Sequence, residues 1–260
     1  MANFLKDIFT QNSKLNVDQL IVKKTIVSFF FFFLFLGAGF WGWKWLRHQR
    51  EDSDGARSQL RFMLNTNEKI FSSLLLSDKH LAKSYPVPAA EKNVRFNGWE
   101  GLRSKLDSNN WRLNVVRKAG DTLKLTLDDI KKLPKTDIVF DFKCIEGWSQ
   151  VTHWAGVRFS DFIKAYGLNA EAAMKYVGMS TPDKGYYVGI DMPSILHPQT
   201  ILCYEMNGQP LPLNQGYPLR LIIPVKYGIK HIKRIGTMYF ADNRPPDFWF
   251  ERGYDYFAGL

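Results

Sequence analysis

Ile138-Val139-Phe140-Asp141-Phe142-Lys143-Cys144-Ile145-Glu146-Gly147-Trp148-Ser149 is the stretch on which the reading of this chain turns. Its first five residues form an apolar, alternating run of the kind a strand needs, and the run then opens into a Cys-Ile-Glu-Gly-Trp-Ser loop. A thiol at that point is held by the sheet yet faces the space beyond the sheet edge. A soft metal ligand or a nucleophile needs both fixation and access. The plain alternative is that Cys144 is a small buried hydrophobe, as free cysteines commonly are.

The rest of the composition bounds what can be built around it. A chain of 260 residues suffices for one large domain or two small ones, and 45% hydrophobic content supports a sizeable core. Two cysteines, Cys144 and Cys203, are too few for a disulfide framework or a four-ligand zinc site. The formal charge of +10 is scattered among aromatics rather than gathered in a run. It therefore predicts a solvated surface with anion sites, and no nucleic-acid partner, since no recognition motif accompanies it.

Thr25 to Trp43 are nineteen consecutive uncharged residues, including the run Phe29 to Phe33. At about 1.5 Å per residue they cross most of a hydrocarbon core of roughly 30 Å. Trp41, Trp43 and Trp45 gather at the C-terminal end, where amphipathic rings favour the headgroup layer. No small-x-small cleavage site follows, so a retained single-pass anchor over 25–45 is expected rather than a cleaved signal. Lys6, Lys14, Lys23 and Lys24 before the span and Lys44, Arg47, Arg50, Arg57 and Arg61 after it leave the orientation open.

Beyond the anchor, Leu60, Met63, Leu64, Ile70, Phe71, Leu74 and Leu75 recur at mostly helical spacing, predicting one or two short helices before Tyr85-Pro86-Val87-Pro88 breaks them. A hairpin is expected over Trp111–Val116 and Leu123–Leu127, and short helices over Leu127–Leu133 and Phe159–Tyr166. Further strands are expected at Lys175–Ser180, Tyr186–Ile190, Thr200–Met206, Leu219–Ile223 and Ile235–Phe240. Short strands interleaved with short helices indicate an α+β domain with a mixed sheet. The implied division is a polar segment 1–24, an anchor 25–45, a helical linker 46–92 and an α+β domain 93–260.

Two further loops carry shape or charge. Asn207-Gly208-Gln209-Pro210-Leu211-Pro212 reads as a hairpin turn or as a loop against a cofactor. Arg220 opens an apolar strand, and His231 and Lys233 follow eleven and thirteen residues later. These three either converge on an anionic group or form a basic solvated edge. The chain lacks Gly-x-Ser-x-Gly, His-Glu-x-x-His, a phosphate loop and a dinucleotide fingerprint. His153, nine residues after Cys144, leaves a Cys–His hydrolase as one rival and a non-catalytic tethered binding module as another.

Five separated segments carry a resemblance: Phe142-Lys143-Cys144-Ile145-Glu146-Gly147-Trp148-Ser149; Trp154-x-Gly156-Val157; Tyr204-Glu205-Met206-Asn207-Gly208-x-Pro210-Leu211-Pro212; Gly216-x-Pro218-Leu219-Arg220; and Lys226-Tyr227-Gly228-x-Lys230-x-x-Lys233. In order and spacing they resemble the molybdopterin-binding domain of the sulfite oxidase family over roughly 93–260. Within that family the likeness is nearest to the catalytic subunits of the periplasmic protein-methionine-sulfoxide reductases, which share Cys-x-Glu-x-Trp-Ser. The sequence stops soon after Arg252-Gly253-Tyr254, so no C-terminal immunoglobulin-like domain of the kind true sulfite oxidases carry is expected.

The resemblance implies a sulfite-oxidase-type fold preceded by one transmembrane helix. It also implies a molybdenum-molybdopterin cofactor and two-electron oxygen-atom transfer, such as sulfoxide reduction on a small-molecule or protein-bound substrate. By position, Cys144 is the thiolate on molybdenum, a soft ligand beside the dithiolene sulfurs. Glu146 is a carboxylate close to the metal, and Asn97, Trp99 and Glu100 line the pterin. Thr181 contacts the cofactor, while Gln215, Arg220, His231, Ile232 and Lys233 hold the pterin and its phosphate. Gln215 replaces an Asn and His231 a Ser of the methionine-sulfoxide reductase pattern, which leaves the substrate open. Lys23-Lys24 stands in place of the twin-arginine signal of exported members, while a periplasmic catalytic domain remains what the resemblance implies. A membrane haem or quinone-linked electron partner is implied as well, since the chain has no Cys-x-x-Cys-His of its own.

Overall fold

The computed structural model describes residues 15–74 and 79–260, which fall into two units, Met1–Arg50 and Glu51–Leu260. In the first, Asn16 caps helix α1 (Val17–Arg47): its side chain accepts from the Gln19 amide at 2.8 Å, and Gln19 returns the bond at 3.1 Å. That cap starts the helix eight residues ahead of the uncharged stretch, so two polar turns with Asp18, Lys23 and Lys24 precede it. No residue of α1 is buried, and the helix is long and apolar enough to cross a membrane. A helix apolar on all sides with nothing packed on it is what a bilayer accommodates.

The second unit carries two five-stranded sheets. One is mixed, in the order β2 (Thr122–Leu125), β1 (Leu113–Val116), β10 (Thr237–Ala241), β5 (Tyr176–Ser180), β6 (Tyr187–Asp191). Its β1–β10 pair is parallel and the other pairs are antiparallel. The other sheet is antiparallel: β3 (Lys135–Lys143), β4 (Ser149–Arg158) and β7 (Ile201–Met206) lie side by side. β8 (Gln209–Pro210) and β9 (Arg220–Ile222) share the far edge of β7. The α+β class with a mixed sheet is therefore as expected, with a second sheet beside it.

The expected strands and short helices form within one or two residues of their anticipated ends, including α3 (Leu127–Lys131) and α4 (Phe159–Ala165). Two very short helices, α5 (Asn169–Ala172) and α6 (Met192–Ile195), follow. Besides the two-residue β8, which forms within the segment read as a turn, the strand absent from the sequence reading is β4. It is central in its sheet and buried along most of its length, so it shows no polar-apolar alternation to read.

After α1, one α-helix forms among the described residues before the Tyr85–Pro88 break, α2 (Ser58–Leu74); Leu75 lies outside the described residues. It belongs to the Glu51–Leu260 unit, fastened there by Arg61. The guanidinium of Arg61 reaches the Asp52 carboxylate at 2.9 Å and donates to the carbonyls of Tyr254, Asp54 and Phe250.

The main core lies under the mixed sheet, with Leu113, Val115, Val177, Met179, Phe159, Phe162 and Met238 fully enclosed. A second, smaller apolar cluster surrounds Cys144: Phe140, Phe142, Trp154, Ile201, Cys203, Leu211 and Ile222. The end of β3 is thus set in a rigid apolar frame.

Candidate active site

β3 and β4 pair as far as Lys143 and Ser149, and the chain turns between them. The Cys144 amide donates to the Trp148 carbonyl at 2.9 Å and the Gly147 amide to the Cys144 carbonyl at 3.1 Å. Gly147 sits at φ +87°, a left-handed conformation that a residue with Cβ adopts only at a cost. The turn therefore fixes Cys144 as the first residue past the ladder. Trp148 Nε1 donates to Glu146 Oε2 at 2.9 Å, which holds that carboxylate over the turn.

Cys144 opens into a cleft of about 120 Å³. Its walls include Asn97, Gly98 and Glu100 from the loop before β1, Ile145 and Glu146 beside the thiol, and Tyr186 ahead of β6. Gly228, Ile229, His231 and Lys233 close it from the loop after β9, and Trp249 and Tyr254 from the C-terminal segment. A Cβ on Gly228 would stand 2.8 Å from the Phe142 ring, so only glycine lets this loop lie against the end of β3.

The cations around the cleft distinguish it from the rest of the molecule. Among the described residues, Arg61, Lys226 and Lys230 are buried with a carboxylate partner each, Asp52, Asp191 and Asp247. Arg220, Lys233 and Arg234 are buried with none inside ion-pair distance. Arg220 lies over the Trp154 ring at 4.6 Å and donates to the Gln215 carbonyl and Oε1, each at 3.0 Å. Its Nε is buried without a partner. Lys233 rests over Phe96 and donates to the carbonyls of Asn97 at 2.7 Å and Gly98 at 2.9 Å. Arg234 is spent on the carbonyls of Tyr217 and Ser104.

Burial lowers the Arg220 pKa to about 10, and burial with the Arg220 charge lowers Lys233 to about 7. The same two causes push His231 down to about 3, so its ring is neutral; one nitrogen meets the Lys226 carbonyl and Nδ1 is left unpartnered. A positive cluster that costs free energy as it stands is what an anion would relieve.

Of the residues expected at the site, Cys144, Glu146, Asn97, Glu100, His231 and Lys233 line this cleft. Gln215 and Arg220 line a small adjoining cavity that Asn97 shares. Ile232 contributes through its backbone, its carbonyl accepting from the Leu221 amide at 2.9 Å. Trp99 is largely exposed, edge-on to Phe96, and does not line the cleft. Thr181 is buried with its hydroxyl bonded to Asp183 Oδ1 and the Tyr186 carbonyl, so it shapes the Tyr186 wall from behind.

His153 is held by Asp137 at 2.8 Å and stands opposite Val139 in the ladder, away from the cleft. The Asn207-Gly208 segment is a hairpin turn between β7 and β8 and not a cleft wall. Sequence reading missed Tyr186, Trp249 and Tyr254. Tyr186 donates its buried hydroxyl to the Ile229 carbonyl at 2.5 Å, and nothing in its local sequence marks it.

The donor set suits a molybdenum-molybdopterin group. One thiol is fixed at the cleft, buried Lys233 stands beside it, and buried Arg220, likewise without a counter-ion, lies in the adjoining cavity. Among the described residues no group of three His, Cys, Asp or Glu could hold a metal by itself, so a metal here would need ligands from a cofactor.

Comparison with known proteins agrees. Residues 100–249 match the oxidoreductase molybdopterin binding domain. A protein of Azospira oryzae named for a proposed role as a protein-methionine-sulfoxide reductase subunit, YedZ1, is 34% identical over 210 residues, covering 80% of this chain and 79% of that one. The protein-methionine-sulfoxide reductase catalytic subunit MsrP of Campylobacter jejuni is 30% identical over 208 residues, 74% and 68% of the two chains. Mitochondrial sulfite oxidase of Rattus norvegicus is 29% identical over 180 residues, 59% of this chain but 33% of its own length. The sulfane dehydrogenase SoxCD of Paracoccus pantotrophus superposes with a TM-score of 0.49 at 19% identity, over 54% of this chain and 40% of that one.

Proposed function

The chain belongs to the molybdopterin-binding oxidoreductase family, and from that premise we propose that it is a membrane-anchored reductase of sulfoxides. The observation that supports this reading best is a fixed thiol and buried Lys233 in one cleft, with buried, uncompensated Arg220 in the cavity that adjoins it. When bound, the molybdenum-molybdopterin group supplies a two-electron centre able to exchange an oxygen atom with substrate. The net reaction takes a sulfoxide, two electrons and two protons to a sulfide and water.

Each residue has a part consistent with its position. Cys144 supplies the protein thiolate to the metal, and the Gly147 turn holds it still. Arg220 and Lys233 neutralise the phosphate of the cofactor, with Gln215 orienting the Arg220 fork. Asn97, Glu100, His231 and Ile232 line or brace the pterin side, and Trp99 and Thr181 support the loops on either flank. Glu146, held by Trp148, faces the open cleft, where it can guide a proton to the departing oxygen.

In this proposal α1 is a single-pass anchor, the catalytic domain is periplasmic, and a membrane haem or quinone-linked partner supplies the electrons. The test is to isolate the full chain from cells making the cofactor and to measure molybdenum, pterin and reduction of methionine sulfoxide by a reduced dye. About one molybdenum per chain with turnover supports the proposal. A metal-free wild-type chain, or a Cys144→Ala variant with full activity, overturns it.

A further inference from the structure

Helix α2 is amphipathic with its faces reversed. Its charged Arg61 and Glu68 point into the domain, Arg61 onto Asp52 and Glu68 onto Arg244. Leu60, Phe62, Met63, Ile70 and Phe71 are instead 45–69% exposed. At about 100° per residue, Ile70, Met63, Leu60 and Phe71 share one arc about 100° wide, on which Asn67 also lies. A surface helix of a domain in water turns that stripe inward; this one spends its polar contacts on the domain and presents the stripe outward.

Two features indicate what covers it. The last residue of α1, Arg47, is followed by Ser58 only eleven residues later. Even fully extended, that segment holds the start of α2 within about 40 Å of the end of the apolar helix. Phe71 shares a groove with Leu81, itself exposed, and with exposed Lys83. Apolar side chains with a lysine at their edge match the boundary between acyl chains and anionic headgroups.

We propose that α2 lies flat on the bilayer, with Leu60, Met63, Ile70 and Phe71 inserted at the headgroup–acyl boundary and Lys83, in the groove beside Phe71, toward anionic headgroups. The domain is then held to the membrane at a second point, with a set orientation. This rests on α1 being a membrane anchor.

The test uses the full chain reconstituted in phosphatidylcholine vesicles containing phosphatidylglycerol. Nitroxide labels are placed in separate Met63→Cys, Ile70→Cys, Lys124→Cys and Phe35→Cys variants, with the labelled wild-type chain as the background for Cys144 and Cys203. Oxygen, which concentrates in lipid, and a water-soluble nickel chelate then compete for each label. Oxygen should dominate at Met63 and Ile70, and the chelate at Lys124 on β2. Chelate dominance at both α2 positions with oxygen dominance at Phe35 overturns the proposal and leaves the anchor standing. Chelate dominance at Phe35 overturns the anchor reading itself. Labels at Met63 and Ile70 screened from both reagents mean that protein covers the face, and lipid is rejected as its occupant.

Discussion

Cys144 and Cys203 are both buried and both free, yet their surroundings prescribe different behaviour. Cys203 sits inside β7, donates to the Glu205 carbonyl at 3.2 Å and has its thiol pushed up to about 12 by burial. It should stay inert to alkylating reagents at neutral pH, and Cys203→Ala should cost on the order of 1 kcal/mol with activity unchanged. Cys144→Ala should leave the thermal midpoint close to wild type but remove turnover; a Cys203→Ala enzyme that lost activity would reverse this assignment.

Arg220 gives the second residue-scale prediction. Arg220→Lys keeps a charge but loses the planar fork that engages Gln215 and the Trp154 ring. Loss of one charge-assisted bond, about 1.5–3 kcal/mol, corresponds to a tenfold to hundredfold drop in cofactor retention. The ratio of molybdenum to protein after dialysis measures it, and circular dichroism checks the fold. Full metal content in Arg220→Lys would mean that the fork does not hold the anion.

At the scale of elements, strands with two different faces could be read from their alternation, and the mostly buried β7 and β9 from their continuous apolar runs. The β1–β2 hairpin and β5, β6 and β10 mix buried with part-exposed positions and were found at nearly their true ends. β4 runs from Ser149 to Arg158 through six consecutive buried residues and left no such trace. The site followed the same logic. Residues of short motifs, Cys144 to Trp148 and Lys226 to Lys233, could be singled out because those motifs carry the family resemblance. Trp249 and Tyr254 join the cleft only because the chain folds back at its C-terminal end, a contact that no local pattern encodes. The turn between β3 and β4 can be tested directly. Gly147→Ala imposes Cβ on a φ of +87°, at a cost of about 1–2 kcal/mol. Because the strain falls three residues from Cys144, turnover should fall by more than stability alone explains. Equal activity at equal metal loading would show that the turn does not set the thiol.

On the scale of the whole molecule, the mixed sheet and the cleft loop are tied together by Asp191 and Lys226. Asp191 ends β6, caps α6 by accepting from the Ser194 amide at 3.0 Å, and meets Lys226 Nζ at 2.8 Å. Lys226 is buried, with its ammonium over the Phe257 ring, so it has little water to fall back on. Burial by itself raises the Asp191 carboxyl, but the Lys226 charge and the Ser194 bonds outweigh it and hold the carboxyl below its usual 3.8. A depressed carboxylate contributes stability that is fully present above about pH 4 and is lost as pH falls through its folded value. Asp191→Asn leaves Lys226 buried and unpaired, at a cost of about 3–5 kcal/mol, whereas Asp191→Leu with Lys226→Met removes both charges and should recover most of it. Thermal midpoints of the full chain at neutral pH should therefore rank wild type near the double variant and well above the single one. The gap between wild type and Asp191→Asn should close as pH drops below about 4. A single variant as stable as wild type, or a gap that widens in acid, would mean that this pair does not join the two parts of the fold.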